Sequence, residues 1–230
     1  MQGRFTQRRP SMPSMPITLL RSFLNERLRQ PLPGTEAQLR MAPEYRMKPE
    51  DAQIEGKDCL EAAVLALFFP ADNHLQLVLT RRRADLTDHA GQVSFPGGRR
   101  EPEEPLSQTA LREAHEEIGV HPSLIELHGR LSPLYIPPTG FCVFPFVGTA
   151  AEPLQLTPDR REVAEIMTAP LPTLLDESIC KREPWDLNGA RVQVPYFDIS
   201  GCKVWGATAM MLAELVEITR EAPDISRLVG

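Results

Sequence analysis

Leu106, Ala110, Ala114 and Ile118 recur every four residues, the period that keeps apolar side chains along one side of an α-helix. Gly119 follows directly and supplies a C-terminal stop. Near the start, 17–28 places Leu19, Leu20, Phe23, Leu24 and Leu28 at helical spacing behind Thr18 as an N-cap. This predicts a short helix that docks its apolar side on the domain and ends at Pro31 and Pro33-Gly34. From 62 onward the pattern becomes that of strands: 62–69 is an apolar run stopped by Pro70, and 75–80 follows an Ala71-Asp72-Asn73 turn, so the two are expected to pair. Further strands are expected at 92–95, 141–149, 163–168 and 191–199, with Pro145 predicting an edge or a bulge in the second of these. A short helix at 171–176 and a closing helix at 207–219, with Ala207, Met211, Leu215 and Ile218 on its inner side, complete the pattern. Strands between helices at both ends predict an α+β layered sandwich.

Composition narrows the picture. A chain of 230 residues suits one domain with a substantial core and an appendage. The expected division is an arm at 1–16, an N-terminal helix and linker at 17–57, the main domain at 58–222 and a tail at 223–230. The arm combines Arg4, Arg8 and Arg9 with Pro10, Pro13 and Pro16, a composition that buries no core. No acid precedes Glu26, which admits an organelle transit peptide, but the prolines oppose the continuous amphipathic helix such a peptide needs. The net charge of -6 argues against a nucleic-acid binder, and no run of eighteen apolar residues predicts a membrane span. Cys59, Cys142, Cys180 and Cys202 are widely spaced without a Cys-x-x-Cys pair. Neither a zinc site nor a disulfide framework is expected, and reduced thiols in a cytoplasm fit best.

The chemistry concentrates around the central helix. Glu113, Glu116 and Glu117 stand at i, i+3 and i+4, so three like charges share one arc of the helix. A divalent cation would turn that repulsion into attraction, and oxygen ligands beside the carbonyls of Gly97-Gly98 favour Mg²⁺ or Mn²⁺ over zinc. Paired glutamates on a helix are usually a solvated face. Here, however, Gly98, Glu104, Arg112, Glu113, Glu116, Glu117 and Gly119 fix seven identities at set spacings. Chance produces such a set on the order of 10⁻⁶ times per chain of this length.

These residues are the complete Nudix box, with Ala114 and Val120 at its two apolar places, and the chain resembles the Nudix hydrolase family. The stretch from Leu79-Thr80-Arg81-Arg82-Arg83 through Gly91-Gln92-Val93-Ser94-Phe95-Pro96-Gly97-Gly98 looks like the extended signature of its coenzyme A pyrophosphatase branch. The similarity covers about residues 60 to 220, including Gly140-Phe141, Glu162-Val163 and Trp205-Gly206. It implies a mixed sheet between helices with a loop-helix-loop metal site, and hydrolysis of the diphosphate of coenzyme A or an acyl derivative into 3′,5′-ADP and a 4′-phosphopantetheine product. On that basis Gly97, Glu113, Glu116 and Glu117 are the expected metal ligands. Glu113, Glu116 and the distal Glu162 are candidates for general base, and Arg112 is expected to pair with Glu104 or Glu116 so that loop and helix stay in register. Arg81, Arg82, His89, Arg99 and Arg100 are candidate substrate contacts, with Arg82 the first choice for the 3′-phosphate. Arg83 departs from the family, which commonly has serine there. The alternatives are hydrolysis of other nucleoside diphosphate derivatives or nucleoside triphosphates, and nucleotide binding without hydrolysis, against which the intact acids count. The expected partner is a small molecule, with neither nucleic acid nor membrane involved, and a homodimer is compatible with the chain.

Overall fold

The computed structural model describes residues 15–46, 48–85, 91–187 and 189–223. His89, nearly all of the expected arm and the end of the tail lie outside these residues. Helix α1 (Met15–Arg27) begins ahead of the expected cap at Thr18 and buries Ile17, Leu20 and Leu24 in the main core. The segment that follows, expected as a linker, carries α2 (Gly34–Leu39), too short to display a repeat, and two 3-10 turns at Glu44–Arg46 and Pro49–Asp51.

Strands β1 (Leu60–Ala71) and β2 (His74–Arg82) pair antiparallel as expected. Pro70 does not stop β1. It lies past the last residue paired on the strand's other side, where a missing N–H is tolerated. The chain continues through β3 (Val93–Ser94), β4 (Gly97–Arg99), α3 (Leu106–Ile118), β5 (Ile125–Arg130), β6 (Leu134–Ile136), β7 (Phe141–Ala150), β8 (Val163–Pro170) and α4 (Leu171–Leu175). Strands β9 (Cys180–Leu187), β10 (Ala190–Ile199) and β11 (Cys202–Trp205) then form a separate antiparallel sheet, and α5 (Gly206–Arg220) follows.

The first eight strands make one mixed sheet. Its path is β3-β2-β1-β7-β5, with β4 beside β1, β6 beside β7 and β8 beside β2. Among the described residues only β1 and β7 run parallel, and their long pairing is the spine of the domain. The period-2 alternation of β1 then sets the two faces. Ala63, Leu65, Leu67 and Phe69 meet Ala110, Ala114 and Ile118 of α3, while Ala62, Ala66 and Phe68 join the core of α1 and α5. Helix α5 is buried nearly all round, not only on the expected inner side, because α2 and the three-stranded sheet also pack on it. Its buried Glu214 accepts hydrogen bonds from Gly34 N–H, Ser132 and Gln38, which ties α2 and the turn after β5 to the helix. Among the described residues, no helix is long and apolar enough to cross a membrane.

Two further expectations are corrected. Pro145 marks neither an edge nor a bulge in its own strand: β7 is central, and Pro145 falls between the residues paired with β6 and those paired with β5. Its missing N–H sits where the neighbour changes, and its carbonyl still accepts from Leu131 N–H at 2.8 Å. Second, Cys59 and Cys142 form a disulfide, their Cα atoms 5.6 Å apart. Sequence spacing could not show this, because the 83-residue separation is closed only by the parallel pairing of β1 with β7. The correction removes the thiol argument for a cytoplasmic location. A cross-link closing so long a loop constrains the unfolded chain by about 4.5 kcal/mol in the entropic account. Reduction of the oxidised protein is therefore expected to lower its Tm by several degrees in a thermal scan, and an unchanged Tm would show that the bond adds no stability.

Candidate active site

The acids are set by how β4 and α3 lean on β1. Gly97 pairs with Val64, and the approach is so close that a Cβ on Gly97 would stand 2.4 Å from the Ala63 carbonyl oxygen and 2.5 Å from Val64 Cα. No other residue fits there. A Cβ on Gly98 would stand 2.6 Å from the carboxylate of Glu113, so Gly98 leaves the room that this carboxylate fills. Gly97 N–H in turn donates to Glu117 Oε2 at 3.1 Å. Helix α3 ends on Gly119, which takes a left-handed conformation with φ 74°. Beyond it, Thr157 N–H bonds to Ile118 O and Asp159 N–H to Glu117 O, hanging the loop that carries Glu162 from the end of the helix.

Arg112 organises the loop. Its guanidinium bonds Glu104 at 2.9 and 3.1 Å, Glu113 at 2.8 Å, Glu116 at 3.1 Å and the Arg99 carbonyl at 3.1 Å. The arginine holds the Glu104 carboxyl down at about 2, well below the usual carboxylate range. Glu113 and Glu117 shift the other way. Burial raises both, pushing Glu117, which is 5% exposed, up to about 8, and the Glu162 charge adds to the rise at each. Glu116 is exposed.

Among the described residues, no three His, Cys, Asp or Glu side chains already converge as a metal cage. The contacts explain this: Arg112 Nη1 joins Glu113 to Glu116, while Glu117 turns to Gly97 N–H. The donor set nevertheless fits a hard divalent ion. Every candidate ligand is oxygen, and buried Glu117 and half-buried Glu113 stand one helical turn apart with pKa values raised by burial, where a bound cation would favour ionising both.

The candidate substrate arginines do not gather on one rim. Arg82 lines a cavity of about 500 Å³ that also touches Gly97 and is walled by Ile136, Pro137, Pro138, Trp205 and Met211. Its Nη1 lies 3.9 Å from Glu117 Oε1 and its buried Nε has no hydrogen-bond partner. Arg81 instead pairs with Glu165 at 2.6 Å, beyond a register shift of β2 against β8. Arg99 and Arg100 line an open groove with Arg112 and Glu113, where Arg100 binds Glu61 and the Glu104 carbonyl. The cavity also includes Arg46, 7% exposed, which no motif marked.

A family model described as NUDIX domain matches residues 60–184. Nudix hydrolase 15, mitochondrial, of Arabidopsis thaliana is 33% identical over 169 residues, 70% of this chain and 59% of its own length. The Nudix hydrolase NudL of Pectobacterium atrosepticum is 38% identical over 146 residues, 60% of this chain and 72% of its own. The chain thus spans less than two thirds of the Arabidopsis relative. Among solved structures, the Nudix hydrolase RenU of M. smegmatis superposes with a TM-score of 0.52 at 22% identity, over 71% of this chain and 88% of that one, and so shares the fold. With its box assembled between β4 and α3 and relatives above 30% identity, the chain belongs to the Nudix hydrolase family.

Proposed function

We propose that the chain is a divalent-metal-dependent hydrolase that splits the diphosphate of coenzyme A or an acyl derivative into 3′,5′-ADP and a 4′-phosphopantetheine product. The observation that carries the reading is the pair of carboxylates beside the Gly97-Gly98 loop, Glu117 buried and Glu113 half-buried, next to a largely apolar cavity that Gly97 lines. The coenzyme A branch rests on the signature between Leu79 and Gly98. When bound by Glu113, Glu116, Glu117 and the Gly97 carbonyl, Mg²⁺ or Mn²⁺ supplies Lewis-acid polarisation of the diphosphate oxygens. The chain's own residues orient the reactants. Arg112 locks the loop to the helix, and Arg82 contacts the reacting diphosphate from the Glu117 side of the cavity. Glu162 serves as general base toward the attacking water: among the described residues its carboxylate has no ion pair or hydrogen bond, whereas Arg112 holds both Glu113 and Glu116.

A second reading, hydrolysis of other nucleoside diphosphate derivatives or triphosphates, is favoured by the dispersal of the arginines. Arg81 is paired with Glu165, and Arg99 and Arg100 face the groove instead of the cavity. Turnover of coenzyme A, dephospho-coenzyme A, ADP-ribose and nucleoside triphosphates with Mg²⁺ and Mn²⁺ separates the readings, and equal kcat/KM across the panel would remove the coenzyme A assignment.

Because Arg82 stands beside Glu117, Arg82→Ala is expected to lower kcat/KM roughly ten- to a hundredfold on every diphosphate, the scale of one charge-assisted contact of about 1.5–3 kcal/mol. The ratio between coenzyme A and dephospho-coenzyme A should stay put. A collapse of that ratio would instead assign the 3′-phosphate to Arg82.

A further inference from the structure

Arg46 stands in the wall of the cavity as a cation without an acidic partner. Its guanidinium donates to the carbonyl of Tyr135 and, at 3.4 Å, to the carbonyl of Asp51, and among the described residues no carboxylate forms an ion pair with it. Carbonyl oxygens carry only partial charge, so this buried arginine is held without a direct ion pair, with the Asp51 charge acting on it from a longer range. Burial indeed lowers its pKa, yet a guanidinium stays charged at any working pH. Among the described residues that line the cavity, Asp51 is the one acid, against Arg46 and Arg82; Glu117 stands 3.9 Å from Arg82, while Arg46 has no carboxylate in direct contact.

The sheet supplies a ruler. Tyr135 pairs with Cys142 on β7, β7 pairs with β1, and β1 pairs with the Gly97 strand. Three strand spacings separate the carbonyl that holds Arg46 from β4, roughly 14 Å. The walls are mostly apolar, with Ile136, Pro137, Pro138, Trp205 and Met211 among Gln92, Ser94, Thr139 and Thr208. The complementary ligand has a diphosphate at Gly97, a less polar middle and a second anion at the far end.

We propose that Arg46 recognises a second anionic group, a phosphomonoester or a carboxylate, on the organic arm of the diphosphate substrate. The inference rests on the reading above that the Gly97 end of the cavity takes the diphosphate. It places a specificity residue outside the matched family region, on a turn before β1.

The test uses two substrate pairs that differ only in the added anion: coenzyme A against dephospho-coenzyme A, and a coenzyme A thioester ending in a carboxylate against a neutral thioester of equal length. In the wild-type protein at least one pair should differ tenfold or more in kcat/KM, and the pair that does so identifies the source of the anion. Arg46→Met should bring that ratio close to one, chiefly through KM, and Arg46→Lys should restore part of it. Asp51→Asn, which removes the acid while keeping the Asp51 carbonyl, should raise the ratio, so the proposal stays testable if the arginine variants do not fold. Ratios near one for both wild-type pairs overturn it. So does an unchanged ratio in a folded Arg46→Met protein, or an unchanged ratio in Asp51→Asn if neither arginine variant folds. If the wild type hydrolyses none of these diphosphates with either metal, the hydrolase reading fails by itself. The same pairs are then compared by calorimetric Kd in the full-length wild-type, Arg46→Met and Asp51→Asn chains, with the same criteria deciding the role of Arg46.

Discussion

Replacing Glu117 or Glu113 by Gln is expected to depress kcat by several orders of magnitude while the melting temperature of the metal-free protein holds or rises. Each substitution keeps the side-chain volume and removes one charge from a site where burial opposes ionisation. The pH dependence follows from the direction of the shift. Glu117 is raised to about 8 in the folded chain, so below the ordinary carboxylate range both folded and unfolded states are protonated and the group contributes nothing. As pH rises from about 4.5 to about 8, the unfolded state releases its proton and the folded state does not, so the metal-free protein loses stability across that window. The loss is on the order of a few kcal/mol. Glu117→Gln should flatten this slope, and its advantage in Tm over the wild type should be larger at pH 8 than at pH 5. Added Mg²⁺ or Mn²⁺ should raise the wild-type Tm and leave the variant's nearly unmoved. Near-normal turnover in either Gln variant would sink the ligand assignment. Parallel Tm curves against pH would sink the electrostatic account of Glu117.

Local chemistry was legible in the sequence where the signal itself is local. The stripe of α3, the hairpin of β1 and β2 and the stop at Gly119 all depend on spacings of a few residues. The Arg112 contact with Glu104 and Glu116 followed from the same nearness. What escaped the sequence depends on contacts between distant segments. The Cys59–Cys142 bond needs β1 and β7 side by side, and the central place of Pro145 needs β5 and β6 on the strand's far edge. Three of the missed strands, β4, β6 and β11, have only three or four residues, too few for an alternation to show. Arg46 was silent for a related reason: it lies in a single 3-10 turn, and only the packing of that turn against Tyr135 makes it a buried charge. The rim of arginines failed in the opposite sense. Neighbours in sequence such as Arg81 and Arg82 lie on either side of a register shift, and each takes a different partner.

Adjacent glycines at 97 and 98 should respond to the same substitution in opposite ways. In Gly97→Ala the new methyl meets backbone, at 2.4 Å from Ala63 O and 2.5 Å from Val64 Cα, and backbone inside a paired strand cannot yield without parting β4 from β1. The expected cost is at least about 1–3 kcal/mol, seen as a Tm lower by several degrees, with activity lost as a consequence. In Gly98→Ala the atoms nearest the methyl are those of the Glu113 carboxylate at 2.6 Å, the far end of a flexible side chain, and Gly98 has no positive φ that alanine would resist. The carboxylate swings away and the fold persists. Its Tm should therefore stay near that of the wild type while kcat falls roughly a hundredfold, the loss that follows when a reacting group is misplaced by about 1 Å. The two variants thus separate the strand-docking function of one glycine from the space the other leaves for an acid. Equal Tm losses in both would show that Glu113 cannot move and that the loop is as rigid as the sheet. Full activity in Gly98→Ala would show instead that the position of the Glu113 carboxylate does not govern turnover.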